Sequence, residues 1–132
     1  MSKTYIELTK SHPCFSAGEK INKGRVHLPL SPGCNISCRF CERKIGSHDI
    51  RPGVSSTIIT PSEALDAVKK AVEICPDITV AGVAGPGDTL STPYALQAFR
   101  LIKEHMPDII KCMSTNGLLL PRYAQEIIDI GI

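Results

Sequence analysis

Apolar residues fall in short unbroken runs that alternate with stretches of helical period. Near-continuous apolar runs at 25–30, 78–83 and 109–113 predict three short strands of the kind buried on both faces in a parallel sheet. Pro29 ends the first strand early or places it at a sheet edge. Three amphipathic helices are predicted between and after these runs. The first opens on Thr60-Pro61-Ser62-Glu63, a capping box with proline at the first helical position. It presents Ala64, Leu65, Val68, Ala71 and Val72 to the core and stops before Pro76. The second opens at Thr92-Pro93 and offers Leu96, Phe99 and Ile102. The third opens near Pro121, offers Ala124, Ile127 and Ile128, and is capped by Gly131. Residues 1–11 give no readable pattern.

This strand and helix alternation, without repeats or low-complexity tracts, argues for an α/β fold with parallel strands. Polar and glycine-rich segments then gather at one edge. Three cysteines follow the first strand, Gly85-Pro86-Gly87-Asp88 follows the second, and Ser114-Thr115-Asn116-Gly117 follows the third. Ligands in open α/β sheets and barrels sit at the carboxyl ends of the strands, so one site is expected there. The connection from Ser31 to Ile59 is far longer than an ordinary strand-to-helix loop, which marks it as functional or disordered.

With 132 residues, 42% of them hydrophobic, and no tryptophan, the chain has the material for one domain with an ordinary core. Met1-Ser2-Lys3-Thr4 leads into polar sequence rather than an apolar signal segment, and no stretch has the length to span a membrane. A cytoplasmic protein with reduced thiols is expected, so the six cysteines point to metal rather than disulfides. The net charge of +2 hides an asymmetry. Residues 1–51 hold nine Lys/Arg against four Asp/Glu, and the remainder hold six against nine. Positive charge around the cysteines favours thiolates and an anionic cluster, but an excess of this size is too small to argue for nucleic acid.

Cys34, Cys38 and Cys41, spaced C-x-x-x-C-x-x-C, carry the most specific chemistry. A structural zinc site closes four ligands, whereas three thiolates on one loop suit a 4Fe-4S cluster with one iron left open to a substrate. A zinc knuckle completed by His48 or Cys14 uses the same cysteines. Gly85-Pro86-Gly87-Asp88 is a plain turn or a ligand-binding strand end, and Ser114-Thr115-Asn116-Gly117 is a cap, a tight turn or a ligand contact. On residue type alone Cys14 and Cys112 are buried apolar thiols and His27 a satisfied strand residue. Cys75, before Pro76, reads as packing or a cap neighbour, and His105 as surface.

The cysteine spacing, with Phe40 before the last cysteine, resembles the signature of radical S-adenosylmethionine (SAM) enzymes. Five further motifs occur in order: His12-Pro13-Cys14-Phe15-Ser16, Cys34-Asn35-Ile36, Arg51-Pro52-Gly53-Val54, Ala84-Gly85-Pro86-Gly87-Asp88 and Cys112-Met113-Ser114-Thr115-Asn116-Gly117. Together they resemble the NifB family of nitrogenase cofactor-maturation proteins over most of residues 12–132.

The resemblance implies a radical SAM enzyme of partial (β/α)6 barrel fold. Such an enzyme fuses two 4Fe-4S clusters into an eight-iron precursor and inserts a carbide from a SAM methyl group, using 5'-deoxyadenosyl radical chemistry. It implies catalytic roles for Cys34, Cys38 and Cys41 as ligands of the SAM-cleaving cluster, with Phe40 near the adenine. Gly85, Gly87, Asp88, Ser114 and Asn116 are implied as SAM-binding positions. Cys14, His27 and Cys112 are implied as ligands of an additional 4Fe-4S substrate cluster, an imidazole being a ligand that can be released when the cluster moves.

Iron–sulfur cluster donors, electron donors and a downstream carrier or scaffold protein are the implied partners, with no nucleic acid and no membrane. Where the family often has a further cysteine after the third cluster ligand, this chain reads Lys44-Ile45-Gly46-Ser47-His48-Asp49-Ile50. There His48 or Asp49 substitutes, or the step differs. Residues 1–24 form an N-terminal extension and 25–132 about three β/α units. The chain stops where a fourth strand is due, so the N-terminal part of a longer protein is expected. A radical SAM enzyme acting on a small molecule or peptide, or a noncatalytic iron–sulfur or zinc module, are the alternatives.

Overall fold

The computed structural model describes residues 4–16 and 23–132. Its elements are helix α1 (Tyr5–Ser11), strands β1 (Gly24–His27), β2 (Lys44–Ile45) and β3 (Val54–Ser55), helix α2 (Pro61–Ile74), strand β4 (Ile78–Val83), helix α3 (Tyr94–His105), strand β5 (Ile110–Met113) and helix α4 (Leu120–Ile130). β1, β4 and β5 form a parallel sheet in the order β1-β4-β5, and β2 and β3 a small parallel pair inside the long cysteine loop.

The three strands predicted from apolar runs are these three. β1 stops at His27, two residues before Pro29, and lies at an edge, so both effects ascribed to that proline occur together. Leu28 and Leu30 continue into the core beyond the ladder. α2 is capped as its sequence requires. The Thr60 hydroxyl accepts the Glu63 N–H (3.3 Å), while the Glu63 carboxylate accepts the Thr60 N–H (2.8 Å). Such a cap contributes about 1 kcal/mol. Ala64, Leu65 and Val68 of α2 pack with Ala95, Leu96, Phe99 and Ile102 of α3 against Ala81 and Val83 of β4. Ala71 and Val72, predicted as core, are half-buried at the end of that face.

Two helices depart from expectation. In α4, Ala124 and Ile128 are exposed, and the inward side is Leu119, Tyr123, Ile127 and Ile130. The four-residue steps from 119 to 127 put one narrow stripe on the core, and α4 packs principally along α3. Its end is capped by Gly131 at φ 79°, whose N–H reaches the carbonyls of Ile127 and Ile128. α1 falls in the segment that gave no pattern, yet it carries the same Thr-x-x-Glu box as α2. Thr4 accepts the Glu7 N–H and Glu7 accepts the Thr4 N–H.

The loops at the strand ends are locked together by Asp88, which is 7% exposed. One carboxylate oxygen accepts the Asn116 N–H (2.7 Å), the other the Leu90 N–H (3.0 Å), and the Thr115 hydroxyl reaches both (2.9 and 3.1 Å). The Asp88 N–H in turn donates to the Gly33 carbonyl (3.0 Å) and the Gly87 N–H to the Ser31 carbonyl (2.6 Å). Asn116 Nδ2 donates to Asn35 Oδ1 (2.6 Å).

Removing the carboxylate strands three partly buried donors, and hydrogen bonds to a charged group are worth about 1.5–3 kcal/mol each. Asp88→Ala is expected to lower stability by about 3 kcal/mol, read as a loss in the chemical-denaturation midpoint. Asp88→Asn, which keeps shape and one acceptor, should lose less. Equal stability of all three proteins would show that the clamp does not hold the loops.

Candidate active site

The cysteine loop begins where β1 ends and is pinned at its start, and its far end returns where the Ile59 N–H donates to the Pro29 carbonyl (3.0 Å). Ser31 bridges Pro86 in parallel fashion, and Ser91 Oγ donates to the Gly33 carbonyl (2.5 Å). Farther along, Glu42 N–H donates to Pro52 O and Lys44 N–H to Gly53 O, both at 3.0 Å, which closes the loop on itself through β2 and β3. Within this frame Cys34, Cys38 and Cys41 are all half-buried and free of disulfides, and the Cys41 N–H donates to the Cys38 carbonyl (3.2 Å). Gly53 stands at φ 74°, and a Cβ there would overlap Cys41 Sγ and sit 3.0 Å from Arg43 N. The bare glycine therefore keeps open the space in which the Cys41 sulfur lies.

Three reduced thiols on one braced loop, with that space preserved, fit an iron–sulfur cluster, whose irons are each taken by a separate cysteine. Among the described residues no three His, Cys, Asp or Glu side chains converge on a point where they could hold a single metal ion. Phe40 is 73% exposed, and His48 and Asp49 are exposed on the turn between β2 and β3.

The other predicted cofactor positions divide by what they touch. Gly85 takes φ 110°, a conformation that glycine alone adopts readily. A Cβ on Gly87 would overlap the Gly33 carbonyl and lie 2.9 Å from Ser31 O, so the close approach this glycine permits is that of the cysteine loop itself. Asp88 and Asn116 spend their polar atoms on the clamp, Asn116 Oδ1 also accepting the Leu118 N–H (3.0 Å). Ser114 joins through its backbone, accepting the Thr89 hydroxyl (2.7 Å) and donating to Val83 O (2.9 Å). These residues fix where the three loops meet. Thr115 and Asn35, which the sequence placed in motifs without a site role, and Ser91, which it did not name, complete that lock.

The second set of predicted ligands lies on the sheet face turned away from α2 and α3. In the ladder His27 pairs with Gly82 and Gly82 with Cys112, so all three share one row and one face. Gly82 leaves the middle of the row bare, since even a Cβ there would be 3.8 Å from His27 Cδ2. Cys14, after α1, comes close enough to Cys112 to act on it electrostatically. Burial first and the Cys14 charge second push the Cys112 thiol up from its ordinary pKa, and Arg25 opposes them. Burial of the ring, then the Arg25 charge, lower the His27 pKa from its ordinary value.

His12 is lowered for the same reasons and is 4% exposed. Its Nδ1 accepts the Cys14 N–H (3.0 Å), and its ring lies 4.9 Å from that of Phe15. The Arg25 guanidinium donates to Cys14 Sγ. Sequence reasoning missed Arg25, although its position two residues before His27 on the same strand puts it on this face. Cys75 and His105 are exposed.

No helix among the described residues is long and apolar enough to cross a membrane. The radical SAM superfamily model matches residues 28–132. The FeMo cofactor biosynthesis protein NifB of Methanocaldococcus infernus is 42% identical over 134 residues, covering 100% of this chain and 44% of that protein. Its namesake in Methanocaldococcus jannaschii is 43% identical over 136 residues with the same two coverages. That of Klebsiella pneumoniae is 41% identical over 124 residues, 92% of this chain and 26% of the relative. The chain thus spans less than half the length of these curated relatives. The matched region holds the three cysteines and every element from β2 to α4, and the chain belongs to the radical SAM superfamily.

Proposed function

We propose that this chain acts in nitrogenase cofactor biosynthesis, as its relatives' name states for them, by bringing a SAM-cleaving cluster beside a substrate cluster. Cys34, Cys38 and Cys41 hold the first cluster; Cys14, His27 and Cys112 hold a 4Fe-4S substrate cluster. Fusion of that cluster with a second one into an eight-iron, carbide-containing precursor is the reaction of the whole protein. When bound, the first cluster supplies one-electron reductive cleavage of a carbon–sulfur bond of SAM. The observation that carries this reading is the row His27, Gly82, Cys112 on one sheet face, with the Cys14 charge acting on Cys112. It sets a second soft donor set on the sheet face away from the helices, a donor set that a radical SAM enzyme for an organic substrate does not need.

The chain's own residues perform three tasks in this reading. The Asp88 clamp keeps the cysteine loop in register with the ends of β4 and β5. Gly53 keeps the Cys41 sulfur free of side-chain obstruction. His27 offers iron a ligand that is more easily given up than a thiolate. Electrons and clusters come from partner proteins in the cytoplasm, and a carrier or scaffold protein accepts the product.

The test is anaerobic loading with iron and sulfide, followed by electron paramagnetic resonance with and without SAM. A SAM-shifted signal together with more iron than one 4Fe-4S cluster accounts for is expected. A SAM-insensitive signal, or stoichiometric zinc, would overturn the reading.

Cys38→Ala should abolish SAM cleavage, whereas Cys14→Ala should retain cleavage and lower total iron; parallel loss of both in each variant would contradict two separate sites. Gly53→Ala adds a Cβ onto Cys41 Sγ and about 1–2 kcal/mol of left-handed backbone strain. It should reduce SAM-responsive cluster several-fold without changing iron at the second site, as read by iron analysis and spin quantitation.

A further inference from the structure

We propose that Arg25 is the counter-ion of the substrate cluster, donating from its guanidinium to the Cys14 sulfur and favouring the cluster's reduced, more anionic state. This rests on the reading that Cys14, His27 and Cys112 hold that cluster.

Placement on the sheet comes first. Arg25 is two residues from His27 on β1, so its side chain emerges on the same face as His27, the face that carries Cys112 two strands away. From there Nη1 reaches Cys14 Sγ. Beside this contact opens a cavity of about 500 Å³ lined by Pro13, Cys14, Lys23, Gly24 and Arg25. Among the described residues it has two cationic side chains and no carboxylate in its wall. A thiol held against an arginine guanidinium at the cavity wall suits something soft and negatively charged.

The chemistry follows from charge. A 4Fe-4S cluster on thiolates is anionic and gains one more negative charge on reduction. Hydrogen bonds to its sulfurs and nearby positive charge raise its potential. Arginine suits this better than lysine because its planar fork can keep one N–H on the Cys14 sulfur and aim another at a cluster sulfide. Acting through the Cys14 sulfur, Arg25 is a positioning residue.

The test uses the full chain with Cys34, Cys38 and Cys41 all changed to alanine, so that the only cluster signal is that of the substrate site. This parent and its Arg25→Gln and Arg25→Lys derivatives are loaded anaerobically with iron and sulfide and titrated with a reductant under electron paramagnetic resonance. Arg25→Gln is expected to shift the reduced-to-oxidised ratio about tenfold toward oxidised, a midpoint lower by about 59 mV for one electron. Arg25→Lys should recover most of that shift. Loss of cluster in Arg25→Gln, with parental circular dichroism and recovery of iron in Arg25→Lys, would equally support a charge requirement. A midpoint equal to the parent's at equal iron content would overturn the role of Arg25 and leave the functional reading standing. A parent that takes up no cluster would overturn the functional reading and Arg25 with it.

Discussion

A single buried carboxylate sets the geometry on which the site depends. Parallel strands leave their carboxyl-end loops side by side but do nothing to join them, since the ladder's hydrogen bonds end where the strands do. Asp88 supplies the missing connection. It takes donors from the loop after β5, caps the first turn of its own loop through Leu90, and through its backbone holds the cysteine loop. Burying an ionised carboxylate is costly unless its lone pairs are filled, and here they are filled by residues whose positions matter. That same cost makes the arrangement all-or-none, because a loop that drifts leaves a buried charge unpaired.

The sheet divides the labour between its faces. One face, through Ala81 and Val83, is buried under α2 and α3 and supplies the packing free energy. The other carries Arg25 and, one row on, His27, Gly82 and Cys112, residues that would weaken a core and have no packing reason to stand together. Period-two alternation along β1 is enough to separate them, so that Val26 packs against the core while the residues on either side of it face the chemistry.

The fold was largely legible from sequence because its signals are local. Apolar runs located the strands, and the capping box at Thr60 and the prolines after Thr60 and Thr92 located helix starts to within two residues. Pro29 was read correctly because a missing N–H has only a few consequences. What escaped has identifiable causes. The inward face of α4 depends on which neighbour it packs against, and helical period alone leaves two stripes of Ile and Leu open to that role. α1 was overlooked because its signal is the Thr4 and Glu7 box alone. For the site, the cysteine spacing placed the loop. The roles of Asp88 and Asn116 in joining loops, and the reason for Gly87, reside in contacts between segments far apart in sequence. No local pattern encodes a clash with the Gly33 carbonyl.

The bond between Asn35 and Asn116 joins positions 81 residues apart, and this separation orders events during synthesis. At about 5–20 residues per second the ribosome completes Cys34, Cys38 and Cys41 roughly 4–16 s before the segment that locks their loop. For that interval the loop lacks its tie to the end of β5, although the segments that close it through β2 and β3 and pin it to Gly87, Asp88 and Ser91 are made earlier. Cluster delivery is therefore best timed after residue 116 has emerged.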